Sequence, residues 1–122
     1  MRTREVVLDT VDLARLIVDL IADRKGEDIV LLDLQHVSVI ADYFVIGSAN
    51  SDRQINAIVD HIREEVKKRQ ALYPLQIEGR GENGWVLMDY GSVIVHVFSP
   101  TLRKYYDLEG LWRDASVLVR MQ

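Results

Sequence analysis

The chain has 122 residues, of which 48% are hydrophobic and 28% are charged, a balance that suits one globular domain with its own core. It has no cysteine, which excludes thiolate zinc sites, thiol catalysis and disulfide bonds. Its formal net charge of -4 disfavours a protein that holds nucleic acid by neutralising phosphates, because such domains are usually basic.

The first part of the chain alternates a helical pattern with strand patterns. Thr10 to Lys25 carries apolar residues at three- and four-residue steps, which predicts an amphipathic helix, and Gly26 suits the left-handed residue that would end it. Asp28 to Leu34 and Tyr43 to Ser48 are short apolar runs rich in β-formers. We expect two buried strands, joined closely enough to be antiparallel neighbours.

The clearest element is a helix over Ser51 to Gln70. Ser51 and Gln54 form a Ser-x-x-Gln capping box, and the apolar residues after it recur along one face. The basic run Lys67 to Arg69 lies in the last turn, where cations favour the negative end of the helix dipole. We therefore interpret that run as a solvated helix end rather than as an RNA-binding patch.

The second part predicts a strand at Leu75 to Glu78, a glycine-rich turn, and a hairpin. The hairpin pairs Trp85 to Asp89 with Ser92 to Ser99 around the turn Tyr90-Gly91. Ser99-Pro100 then begins a third helix, whose apolar face we expect to continue past Gly110 to Leu111 and Trp112.

The element order is therefore α-β-β-α-β-β-β-α. It predicts a single α/β domain over residues 1–122, with a core of about 8–115 and a mixed sheet of about five strands covered by helices. The strand–helix–strand crossover from Tyr43 to Glu78 predicts one parallel pair. No targeting segment or spanning apolar run is seen, and the charged start Met1 to Glu5 is unlike a signal peptide, so we expect a cytoplasmic protein without membrane attachment.

No catalytic or metal-binding constellation emerges from the sequence. His36, His61 and His96 lack metal-ligand spacing, and we expect His96 to be a hydrogen-bonded histidine at the edge of the core. The glycine turn is followed by a strand, whereas a phosphate loop would precede a helix. Gly47-Ser48 stands where nucleotidyltransferases begin their active site, but no carboxylate pair follows to hold two metal ions. We predict no metal, no cofactor and no enzyme activity.

The remaining chemistry is that of a binding surface. Alternation along the hairpin strand places Trp85, Leu87 and Asp89 on one face, with Glu78 on the neighbouring strand and Tyr106 on the third helix. An aromatic anchor with carboxylates beside it suits a partner that presents Lys or Arg around an apolar patch. Core packing is an equal alternative for Trp85, and it is favoured for Trp112.

Taken in order, these residues resemble the ribosomal silencing factor family, also called Iojap-like. The resemblance covers residues 11–115, with departures at Ala49 and in a tail, Ser116 to Gln122. It is carried by the following motifs: Leu31 to Leu34 (LLDL), Ser38, Asp42 to Ile46 (DYFVI), Ser51 to Gln54 (SDRQ), Glu78-Gly79, Trp85 to Gly91 (WVLMDYG), Val93 to Phe98 (VIVHVF) and Arg103 to Trp112 (RKYYDLEGLW).

The resemblance implies a fold related to nucleotidyltransferases but without their catalysis. It also implies a protein that binds ribosomal protein number fourteen of the large subunit, prevents the small subunit from joining, and so represses translation when nutrients are scarce. Related proteins are often dimers, which predicts a homodimer when free. Two alternatives stay open: a degenerate nucleotidyltransferase that binds nucleotides, and a module that binds RNA directly.

Overall fold

The computed structural model describes residues 9–122, so the charged start Met1 to Glu5 and residue 8 of the predicted core lie outside the described part. The protein is a single α/β domain with a mixed six-stranded sheet of order β3-β4-β5-β2-β1-β6. Its elements are α1 (Thr10–Asp23), β1 (Glu27–Asp33), β2 (Tyr43–Ser48), α2 (Asp52–Gln70), β3 (Gln76–Glu78), a 3-10 turn (Gly81–Asn83), β4 (Trp85–Asp89), β5 (Val93–Phe98), α3 (Pro100–Tyr106), α4 (Leu108–Leu111) and β6 (Ser116–Met121). Within residues 9–122 no helix is both long and apolar enough to cross a membrane.

The sheet contains one parallel pair, but not between the predicted partners. β1 and β2 are antiparallel neighbours, as expected, and β2 pairs in parallel with β5. β3 pairs only with β4 at the sheet edge, so the β4–β5 hairpin lies between β2 and β3. The reason is burial: every residue of β5 is buried, which suits a central position, whereas β3 has three residues and is largely exposed.

The sheet has six strands rather than about five because the tail is part of it. β6 pairs antiparallel with β1 and forms the second edge of the sheet. Its residues are mostly exposed, and its register shifts between the partners of Leu31 and Leu32. A strand that buries so little gives no clear alternation in the sequence, so Ser116 to Gln122 is a sheet strand that resembles a tail in sequence.

The larger core lies between one face of the sheet and the helices α1 and α2. A Cβ on Gly47 would lie 3.0 Å from Ile21 Cγ2, and one on Gly26 would lie 2.3 Å from it, so both glycines allow α1 to pack closely. Gly26 does not take the left-handed role predicted for it; Lys25 does, with φ of 67°. The helix ends at Asp23, two residues before the predicted end at Lys25, and Gly26 is required because a side chain there would have no space.

The cap of α2 also differs in part from the predicted box. Ser51 Oγ accepts from the Gln54 amide at 3.1 Å, as expected, but Gln54 Oε1 accepts from the amide of Asn50. Gln54 Nε2 donates to the carbonyl oxygens of Arg24 and Lys25 at the end of α1. The same side chain therefore links the start of α2 to the end of α1.

The opposite face of the sheet carries a smaller apolar layer, which α3 and α4 cover only in part. Ser99 Oγ accepts from the Leu102 amide, confirming the predicted cap, but α3 stops at Tyr106 because Asp107 adopts φ of 47°. Asp107 then caps α4, which turns the chain, so Leu111 is 71% exposed and lies off the apolar face. Trp112 packs edge-on against Phe44, as its core interpretation predicted.

Candidate functional site

The two faces of β4 are separated as the alternation predicts. Val86 and Met88 are buried in the core beneath α1 and α2. Trp85 and Leu87 lie on the opposite face, beside the layer that α3 and α4 cover incompletely, and both are half-buried. The uncovered part of that face, bounded by Glu78, Trp85, Leu87, Asp89 and Tyr106, is called the docking surface below.

Trp85 is both a core residue and a surface residue, because its indole packs against Phe98 and Tyr106 while the side chain stays partly exposed. Its ring lies on the fully buried ring of Phe98, with centroids 4.9 Å apart and planes 25° apart. Tyr106 packs against Trp85 with centroids 4.7 Å apart and is itself 46% exposed. The two interpretations of Trp85, as a core residue and as an interface anchor, therefore each describe one part of the same side chain.

The glycine turn before Trp85 is fixed by its contacts with α2 and β4. The Gly81 amide donates to Asn56 Oδ1 at 2.8 Å, and a Cβ on Gly81 would lie 2.2 Å from the Asp52 carbonyl oxygen. Gly79, at φ of 84°, leaves equally little room beside the Trp85 carbonyl. These are the contacts of a structural loop that leads into a strand, which confirms the hairpin-loop interpretation over a phosphate loop.

A shallow pocket of about 220 Å³ adjoins the indole and is lined by Glu78, Gly79, Trp85 and Leu87. Its walls combine aromatic and aliphatic surface with one carboxylate at the edge of the sheet. Gln76 Nε2 donates to that carboxylate, which orients Glu78 along β3. An apolar wall with an acidic rim matches the aliphatic stem and cationic head of a lysine or arginine.

Asp89 lies at the other end of β4 from Trp85, opposite Gln76 and Ile94. Its Oδ1 accepts from the Gly91 amide at 2.7 Å and so closes the hairpin turn. Glu78, Trp85, Leu87 and Tyr106 are thus brought together, whereas Asp89 contributes its charge from the far end of the strand.

His96 is buried to 3% exposure in β5, opposite Leu87 in the strand register. Its Nδ1 accepts from Trp85 Nε1 at 3.2 Å, and its ring packs edge-on against Phe44 with centroids 4.7 Å apart. Nε2 has no hydrogen-bond partner among residues 9–122, so within these residues His96 is hydrogen-bonded through one of its two ring nitrogens. Burial lowers the pKa of His96 to about 4 from its ordinary value of 6.5.

The end of β2, where a nucleotidyltransferase would begin its active site, is occupied by an ion pair that the sequence did not suggest. Arg103 Nη1 donates to Ser48 Oγ at 2.8 Å, and the same guanidinium binds the carboxylate of Glu109 with two hydrogen bonds. A cleft of about 550 Å³ beside them contains both acidic and basic side chains, among them Asp28 and Lys104. The Ser48 hydroxyl is thus already bonded within the protein.

The other two histidines do not form a site. His61 Nε2 lies 3.2 Å from Asp23 Oδ2 and joins α2 to α1, while His36 is exposed in the β1–β2 connection. Within the part of the chain that the structure describes, no group of three His, Cys, Asp or Glu side chains could hold a metal ion.

Sequence comparison relates this chain to ribosomal silencing factors. Residues 7–122 match the family model described as ribosomal silencing factor during starvation. The ribosomal silencing factor RsfS of Bacillus subtilis is 44% identical over 93 residues, covering 76% of this chain and 78% of that protein. Its namesake in Halalkalibacterium halodurans is 41% identical over 104 residues, covering 85% and 88%. A crystal structure of a Chromobacterium violaceum protein superposes with a TM-score of 0.82 at 30% identity, covering 92% of this chain and 94% of the other.

Proposed function

The chain belongs to the ribosomal silencing factor family, and we propose that it represses translation by binding the large ribosomal subunit through ribosomal protein number fourteen. Bound there, it blocks association with the small subunit, above all under nutrient limitation, and it acts in the cytoplasm. Members of this family are regulators of the ribosome and not enzymes. The proposal therefore concerns a contact between proteins, and the docking surface is where we assign that contact.

The observation that carries the proposal is the half-open indole of Trp85 beside the acidic pocket. Phe98 and Tyr106 hold the ring, so little side-chain freedom is left to lose when a partner covers it. Interface anchors are commonly rigid aromatic side chains with an apolar contact on one side. Glu78 at the pocket rim adds an acceptor for a partner's cationic side chain.

Charge supports a basic protein rather than RNA as the partner. The chain carries a net charge of -4, which attracts a basic ribosomal protein and repels phosphate. The basic run at the end of α2 is partly neutralised within its own helix, since Lys68 and Arg69 both pair with Glu65, at 3.5 and 3.2 Å. This supports a role without direct sequence-specific binding of nucleic acid.

The free protein is proposed to be a homodimer that buries the docking surface. Tyr105 is 76% exposed and Tyr106 46% exposed, and the two rings contact each other edge-on beside Trp85. Exposed aromatic surface of this kind is often covered by a second copy when the partner is absent. Dimerisation and binding to the ribosome then compete for one surface.

Binding to purified ribosomal protein number fourteen tests the proposal directly. The wild-type chain is expected to bind it and to lower the fraction of joined ribosomes in a sucrose gradient. Trp85→Ala is expected to weaken binding by about thirtyfold, corresponding to about 2 kcal/mol for an aromatic anchor. Val39→Ala is the control, since Val39 is fully exposed in the β1–β2 connection, at the other end of the strands from Trp85.

Three results would contradict the proposal. A folded Trp85→Ala protein with full affinity would show that the surface is wrong, and circular dichroism establishes the folding. Binding to ribosomes with a steep salt dependence, without binding to the isolated ribosomal protein, would instead indicate direct RNA binding. Heat released on titration with a nucleoside triphosphate and Mg²⁺ would favour the degenerate nucleotidyltransferase.

A further inference from the structure

His96 is a polar residue in an otherwise apolar, buried strand, β5. It stands in a strand whose residues are all buried, on the face that also carries Ile94 and Phe98. Its ring is surrounded by aromatic neighbours, with Phe44 at 4.7 Å, Trp85 at 5.9 Å and Phe98 at 6.0 Å between centroids. An apolar side chain of similar size would fill this space without burying two ring nitrogens.

Among residues 9–122, His96 forms one side-chain hydrogen bond, with Trp85. An indole N–H only donates, so the bond from Trp85 Nε1 requires Nδ1 to be the acceptor and places the proton of the neutral ring on Nε2. That Nε2 proton has no acceptor among residues 9–122.

Stacking alone leaves the direction of the indole undetermined. Contact with Phe98 and Tyr106 constrains the plane of the Trp85 ring, but χ2 of a tryptophan has two broad minima that share one ring plane. The two orientations differ in which edge of the indole faces His96 and which edge faces outward. The bond from Nε1 to Nδ1 is the polar contact that distinguishes them.

We propose that His96 is a positioning residue that selects one orientation of Trp85 and so presents a single indole edge to the partner. This inference rests on the proposed function, because the value of a fixed orientation lies in docking. His96 itself is buried beneath the docking surface and acts only through Trp85. A partner shaped to one indole edge then binds more weakly whenever the ring samples the other.

The test compares His96→Phe, which keeps a ring but removes the acceptor, with His96→Asn, whose Oδ1 can occupy the place of Nδ1. Trp112→Phe in all proteins leaves Trp85 as the sole tryptophan. In nitrogen-15 NMR spectra, one sharp indole N–H signal is expected for the parent, and a shifted, doubled or broadened signal for His96→Phe. His96→Phe is expected to weaken binding to ribosomal protein number fourteen about three- to tenfold, and His96→Asn to restore part of that loss.

A double-mutant cycle separates positioning from general destabilisation. In a Trp85→Phe background there is no indole N–H and no orientation to select, so His96→Phe should cause no further loss of affinity. An equal loss in both backgrounds, or an unchanged indole signal and affinity in His96→Phe, would overturn the inference. So would His96→Asn binding no better than His96→Phe.

The inference and the proposed function fail in different ways. If the wild-type chain does not bind the ribosomal protein, the proposed function is lost. The indole signals of the free proteins still report whether His96 fixes Trp85, since they need no partner. If His96→Phe does not fold, His96→Leu provides the variant without an acceptor, with the same expected signal change and loss of affinity.

Discussion

Arg103 and Ser48, 55 residues apart in the chain, are joined by a hydrogen bond of 2.8 Å from the guanidinium Nη1 to the hydroxyl oxygen. The same guanidinium binds Glu109 at 3.1 and 2.8 Å and is only 11% exposed. One side chain therefore fastens both C-terminal helices to the end of β2. Tyr106 is the last residue of α3, so its position beside Trp85 depends on this attachment.

Arg103→Ala is expected to lower the free energy of unfolding by about 2 kcal/mol, since it removes charge-assisted bonds from a largely buried group. Binding should weaken as well, because α3 and Tyr106 lose their attachment. Arg103→Lys should recover little of either, since an ammonium group cannot form the two parallel bonds to Glu109. Urea denaturation measures the stability, and Lys104→Ala, at an exposed neighbouring position, is the control. Stability of Arg103→Ala within about 0.5 kcal/mol of the wild type would contradict this account.

Folding stability should depend on the protonation of His96. Its pKa is about 4 in the folded protein against 6.5 ordinarily, so between these values the unfolded chain binds more protons. The contribution is complete above pH 6.5 and is lost as the pH falls towards 4, by about 3 kcal/mol in total. Urea denaturation between pH 4.5 and pH 7 is compared for wild type and His96→Phe, in which the carboxylates are unchanged. Identical pH dependence in the two proteins would rule out this contribution.

The carboxylates of the docking surface should affect the rate of association more than the rate of dissociation. Glu78→Gln is expected to slow association with the basic ribosomal protein by about two- to fivefold at low salt and to flatten the salt dependence. Asp89→Asn should act in the same direction but less strongly, because Asp89 lies at the far end of β4 from the pocket. Its amide oxygen can still accept from Gly91, so the turn is preserved. Stopped-flow measurements at several salt concentrations give both rates, and an unaltered salt slope in Glu78→Gln would count against electrostatic steering.

Local sequence patterns predicted most helices and strands. The features that they did not predict depend on contacts between residues far apart in the chain. The division of β4 into a buried face with Val86 and an open face with Trp85 follows from alternation within five residues. The bond from Trp85 to His96 depends on the hairpin register, and the bond from Arg103 to Ser48 depends on the whole fold, so neither leaves a local signal. The pairing of β3 differs from the predicted one because the crossover pattern does not show that the β4–β5 hairpin lies between β2 and β3.

The glycine turn should be intolerant of a methyl group at Gly81. A Cβ there would meet the Asp52 carbonyl oxygen, a backbone atom that cannot move without shifting α2. Gly81→Ala is expected to lower the free energy of unfolding by about 1–3 kcal/mol and to weaken binding by displacing the start of β4. Gly91→Ala is the comparison, because Gly91 has φ of 89° but a Cβ there would meet only Leu75 Cδ1, at an ordinary contact distance of 3.8 Å, so that variant measures backbone strain without a clash. Equal affinity of the Gly81→Ala and Gly91→Ala proteins would show that the turn does not position Trp85.

Self-association should be governed by the same surface as binding. Sedimentation velocity of the free protein at about 50 μM is expected to show a homodimer, because a second copy can cover the exposed aromatic surface. Tyr105→Asp should shift the protein towards monomer by placing a charge in that contact, since Tyr105 is 76% exposed and touches Tyr106. Val39→Asp, at a fully exposed position in the β1–β2 connection and at the other end of the strands from Trp85, should leave the dimer intact.

Self-association and binding to the ribosomal protein should compete for the same surface. Adding ribosomal protein number fourteen should convert the homodimer into a complex with one copy of each chain, since one surface cannot serve both contacts. A ternary complex that retains two copies of this chain would place the dimer contact elsewhere on the molecule. A strictly monomeric free protein at the same concentration would remove the dimer altogether, while leaving the assignment of Trp85 to the ribosomal contact to be judged by binding alone.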